Sequence, residues 1–150
     1  MPSYAGGGAA RTPLGNNEYL RSTKAVKKES YTVAASSVPA VTIDGVPGQK
    51  LLYPGTVMAK ITSGADAGKI GPFQAGVSDG RQTLANIVGL EDTFLPWQLM
   101  EHDNEVAVTY DCMANQGWCF ELDAAGLRIA LTNTTADAMR SVKGLDVLFK

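Results

Sequence analysis

The sequence predicts a mainly β fold: one compact domain over residues 31–150, with one short C-terminal helix, preceded by a flexible N-terminal arm over residues 1–30. Three observations predict it. From Tyr31 onward, short runs of β-branched and aromatic residues alternate with Gly, Pro, Asn and Asp turn pairs. Only residues 134–143 carry the start and stop signals of a helix. The first thirty residues hold three consecutive glycines and few apolar side chains.

The arm is set apart by charge as well as composition. Residues 1–30 carry five basic groups (Arg11, Arg21, Lys24, Lys27, Lys28) against Glu18 and Glu29, a balance of +3. The other residues carry eight basic and thirteen acidic groups, a balance of -5. Ordering a backbone costs about 1–2 kcal/mol per residue, and so polar a segment buries too little to offset it. The arm is therefore expected to be mobile in the free protein. Its spaced apolar residues, Tyr4, Leu14, Tyr19, Leu20 and Val26, would then order on a partner.

Each later element follows from local pattern. Tyr31-Thr32-Val33 and residues 38–43 are β-rich, and Asp44-Gly45 and Pro47-Gly48 are turns. Residues 56–62 read as a strand. The stretch SGADAGKI that follows imitates a phosphate-binding loop, but only three residues separate Gly64 from Gly68. Ile70 stands where a magnesium-binding hydroxyl belongs, and Gly71-Pro72 forbids the helix such a loop must enter. A hairpin between two strands is expected instead, with no nucleotide. Asp79-Gly80 is a turn, and residues 84–90 form an apolar strand. Residues 105–110 form another, with Val106, Val108 and Tyr110 on one face. Residues 117–122 are expected to pair with it across Asn115-Gln116, which places Trp118 in the core. Thr134 caps the helix with Asp137 completing the capping box, and Gly144 stops it. Leu145, Val147 and Phe149 alternate as a last strand.

Composition narrows function by exclusion. A net charge of -2 gives no basis for binding nucleic acid or a membrane surface. No signal-type apolar core and no run of about 18 apolar residues occurs, so passage through a membrane is not expected. Cys112 and Cys119 are expected as reduced, partly buried thiols. His102 lies among Glu101, Asp103 and Glu105, but there is no second histidine, and calcium-loop spacing is missing. Ser63 and Ser78 lie in glycine-rich turns without a nucleophile elbow, and a Ser63–Lys69 pair is of a kind that arises by chance in most chains. No enzymatic activity, metal or cofactor is expected. Trp97, after Pro96, stands either in the core or as a candidate subunit contact.

One block carries a resemblance. Pro54-Gly55-Thr56-Val57-Met58, Gly68-Lys69, Gly71-Pro72-Phe73, Asp79-Gly80-Arg81-Gln82, residues 85–90 and Glu91-Asp92 follow one another in this order. Over residues 50–92 the chain resembles the head decoration proteins of tailed bacteriophages, the group related to the lambda decoration protein. A weaker echo continues after His102 and in the terminal helix and strand. Asn86 departs from the usual small residue, and Gly89 is shifted. The resemblance implies a β-tulip fold and homotrimers at threefold and quasi-threefold positions on the outer surface of the capsid. It implies a protein made in the host cytoplasm that clamps capsomers against packaged-DNA pressure. The arm would reach the major capsid protein by adding a strand, and three arms acting together would multiply avidity about 10²–10⁴-fold. The alternative is a small tail, baseplate or receptor-binding component with a similar attachment arm.

Overall fold

Val57, Met58 and Ala59 are consecutive and fully buried, yet they serve two different cores. Alternation along a strand sends Val57 and Ala59 to one face and Met58 to the other, so the strand that carries them must be covered on both sides. In the computed structural model, which describes residues 18–96 and 101–150, that strand is β4 (Val57–Lys60).

The order of the main sheet is β1 (Lys27–Val33), β5 (Ile70–Pro72), β4, β6 (Ile87–Glu91), β7 (Asn104–Ala114) and β10 (Asp146–Phe149). β1 also pairs antiparallel with β7, from Lys27 opposite Asp111 to Val33 opposite Asn104. That second pairing closes five strands into a ring, and β10 extends the far end of β7 in parallel. Val33, Met58, Ile70, Val88, Val106 and Val108 form one cluster with Val38, Leu52 and Leu95. The other cluster joins Val57, Ala59, Ile87 and Leu90 to Phe149 of β10 and to Ala136 and Met139 of the helix α1 (Asn133–Met139). The first cluster draws on all five ring strands and so fills the ring, whereas the second joins one face of β4, β6 and β7 to β10 and the helix and lies outside it. Two small ribbons have ladders of their own, β2 (Val41–Ile43) with β3 (Val46–Gln49) and β8 (Phe120–Leu122) with β9 (Arg128–Ala130), and β8 is bridged to the body at Thr56 and Gln74. Among the described residues the fold is mainly β with one α-helix, as the sequence predicts.

Gly89 is needed where β6 crosses β7. Its φ is +145°, and a Cβ there would lie 2.2 Å from the Thr109 carbonyl oxygen. The ladder between β4 and β6 shifts at this point, and the bulge is the reason the glycine stands where it does.

The SGADAGKI stretch is a hairpin connection: β4 and β5 pair antiparallel, with Lys60 opposite Ile70. Lys69 ties it down, 2.7 Å from Asp66 and 2.5 Å from Asp103. The Asp79-Gly80 turn is locked by Arg81, which is 5% exposed. Its guanidinium grips Asp79 and donates to the carbonyls of Ser37 and Pro72.

Several expectations are corrected. The helix starts earlier and ends earlier than residues 134–143. Thr132, not Thr134, is the cap, accepting from the Thr135 N–H, and the buried Glu121 carboxylate holds Thr132 in place. Tight turns after Ala138 and Met139 end it, and Gly144 follows at positive φ. Residues 84–86 form a 3-10 turn before β6, not part of the strand. Residues 116–118 form another, which turns Cys119 inward and leaves Trp118 54% exposed rather than in the core. β8 then pairs with β9, Phe120 opposite Ala130, and not with β7.

Candidate interaction surface

The largest revision concerns the N-terminal segment. Tyr19 is 1% exposed and belongs to the outer core. Its hydroxyl donates to Asp92 Oδ1 at 2.6 Å and shares a hydrogen bond with Thr109 at 2.9 Å. Burial, then the bond to Asp92, pushes its pKa far up, so it remains a phenol. Its ring needs Gly55: a Cβ on that residue would lie 3.0 Å from Tyr19 Cβ and 2.6 Å from the Trp118 carbonyl oxygen. Leu20 bridges to Ala114, and Leu20 and Val26 are half-buried against the same cluster. Lys27 and Lys28 pair with Asp111 and Asp92. The expected arm boundary at residue 30 therefore falls inside β1, and residues 18–30 pack as part of the body. Tyr4, Leu14 and Trp97 lie outside the described residues.

Backbone bonds fix the point where the chain enters the body. The Asn115 N–H donates to the Tyr19 carbonyl at 2.7 Å, and the Arg21 N–H to Met113 at 2.9 Å. Seventeen residues precede Glu18, and a chain of that length spans at most roughly 60 Å. Residues 1–17 carry one charged side chain, Arg11. The cations read as an arm charge mostly belong to the body.

The two thiols and Lys69 are held in their protonated states. Cys112 and Cys119 are free and buried, and burial pushes the thiols up to about 11 and about 12, so both stay protonated near neutrality. Hydrogen bonds that Lys69 donates to Asp103 and Asp66 raise its pKa, which keeps it an ammonium and unfit as a base for Ser63. His102 is exposed, and among the described residues no group of three or more His, Cys, Asp or Glu could hold a metal.

What the described surface does offer is apolar area. A cleft of about 480 Å³ opens between the two ribbons, floored by Leu52, Tyr53 and Pro72 and walled by Ile43 and Leu127. Leu127 is 55% exposed and Val46 51%. Arg128 stands at the edge, its guanidinium 4.0 Å from the centre of the Tyr53 ring and 4.5 Å from that of Phe120. Neither Arg128 nor Tyr53 stands out in the sequence, because the pairing depends on β9 crossing to a loop seventy-five residues earlier. No protein-family model, curated protein or solved structure matches this chain.

Proposed function

We propose that this chain is a capsid decoration protein that binds the outside of a phage head and stabilises it against packaged-DNA pressure. In this reading the folded body sits on the shell as a homotrimer, and residues 1–17 attach it to the major capsid protein. One observation carries the reading: the attachment segment is rooted in a rigid body. Tyr19, sealed under Gly55 and bonded to Asp92 and Thr109, fixes where residues 1–17 depart. A segment so rooted transmits load from the shell into the sheet rather than into a hinge. The order of short motifs from Pro54 to Asp92 supports the same reading, since these residues build β4, β5, β6 and the Tyr19 seat. Backbone pairing by one segment nets only about 0.5–1.5 kcal/mol per bond, which favours several copies acting together.

The test uses heads that lack the protein. Adding the full chain should coat them and raise the temperature at which they release DNA. A chain without residues 1–17 should stay folded and fail to coat. Equal release temperatures for bare and coated heads would defeat the reading, and density confined to the tail in particle images would replace it with a tail component.

A further inference from the structure

The two ribbons leave unburied what the rest of the fold buries. All three residues of β9 are exposed, as are three of the four in β3. β8 is bridged to the body at Thr56 and Gln74, but the outer strand β9 and the β2–β3 ribbon have no such second neighbour among the described residues, and together they expose Val46, Leu127 and Ile129 beside an apolar cleft.

The charges on the ribbons are complementary and unspent. Arg128 stacks on two rings but makes no ion pair with any described residue. Asp44, at the tip between β2 and β3, is also exposed and unpaired. The tip is rigid: Ile43 pairs with Val46, and Asp44 and Gly45 take φ values of 52° and 79°, as a two-residue hairpin with this twist requires. It holds a carboxylate and an exposed valine two residues apart, and the cleft offers a guanidinium beside apolar walls.

We infer that the cleft is a self-association site: the Asp44-Gly45-Val46 tip of one copy seats in the cleft of the next, with the Asp44 carboxylate on Arg128. The occupant is a second copy because the matching parts lie on the same chain. Residues 1–17 do not match, since their one charged side chain is Arg11, which Arg128 repels. A tip-into-cleft contact joins different surfaces of neighbouring copies, so it closes into a ring where the rotation between copies permits and otherwise runs on as a filament. It deepens the decoration reading by naming the subunit contact, and a ring of three rests on that reading.

Sedimentation velocity of the full chain, from low to high micromolar at low salt, tests it. The native chain should associate with rising concentration. Asp44→Arg and Arg128→Asp should each weaken association about tenfold or more, and the double variant should regain most of it, because the pair is restored with its sense reversed. Val46→Asp should weaken it while leaving Arg128 intact. These positions are exposed, and unchanged circular dichroism confirms folding. A native chain that stays monomeric overturns the inference, as does association that ignores the single variants or a double variant that recovers nothing. Head attachment is measured separately. Coated heads with association indifferent to the swaps defeat this contact alone, whereas swap-sensitive association with no coating defeats the decoration reading alone.

Discussion

Glu91 is fully buried in β6, and neither of its carboxylate oxygens has a hydrogen-bond partner among the described residues. It lies opposite Val108, on the face away from its neighbour Asp92, which bonds Tyr19 and Lys28. Burial raises its pKa from 4.5 to about 9, with the charge of Asp92 adding to the rise. The folded protein therefore keeps a proton that the unfolded chain gives up above pH 4.5. Stability is full below that pH and falls as pH rises toward about 9, by up to about 1.4 kcal/mol per unit. Glu91→Gln stays neutral at every pH. The unpaired buried amide costs about as much as the unpaired carboxylic acid it replaces, so the variant should match the native protein near pH 5 and exceed it by about 4 kcal/mol near pH 8. Urea unfolding at both values checks this, and parallel pH profiles would refute it. Nothing in the sequence separates Glu91 from Asp92. They read as one acidic pair, and only strand alternation on a doubly covered sheet sends one to water and Lys28 and the other into the interior.

At the scale of elements, the sequence was legible wherever pairing is local. The β4–β5 hairpin follows from a strand, a glycine turn and Gly-Pro, and β10 from alternation at Val147 and Phe149. It was illegible where a short run joins a distant partner. β8 could not be read as the partner of β9 rather than β7, because Trp118 looks like a core residue until the 3-10 turn at Gln116–Trp118 rotates it outward. The N-terminal segment was misread because composition averaged over thirty residues hides Tyr19-Leu20 and the strand Lys27–Val33. The structure divides it at Glu18, and this gives a sharp pair of expectations. Removing residues 1–17 should leave the unfolding free energy within about 0.5 kcal/mol of the native value, since the Tyr19 seat and the whole β1–β7 pairing are kept. Removing residues 1–30 deletes Tyr19 and half of the β1–β7 pairing. Losing a buried aromatic side chain alone costs about 3–5 kcal/mol, so this chain should unfold near room temperature or fail to fold. Tyr19→Phe isolates the hydroxyl and should cost about 1–2 kcal/mol by leaving Asp92 and Thr109 short of a partner. Two truncations of equal stability would contradict the seat described for Tyr19.

Considered whole, the molecule has two cores and one sheet. The ring interior and the outer cluster share every central strand: Met58 faces in while Val57 and Ala59 face out, and Val88 faces in while Ile87 and Leu90 face out. Neither core can be lost while the other stands, because melting either releases the strands that bury its counterpart. A chain with two separable hydrophobic units would unfold in two steps. This one should unfold in a single cooperative transition, with calorimetric and van't Hoff enthalpies equal. Met58→Ala inside the ring and Leu90→Ala outside it should each destabilise that one transition, by about 2–5 kcal/mol, without creating a second. Far-ultraviolet circular dichroism reports the strands, and near-ultraviolet signals report tertiary packing, so the two should give the same midpoint for both variants. If Leu90→Ala shifts one probe and not the other, or if calorimetry resolves two peaks, the helix and β10 form a layer that melts on its own. The seat of Tyr19, which is built in that outer layer, would then loosen before the ring does, and the body would not be the rigid root that the proposed attachment requires.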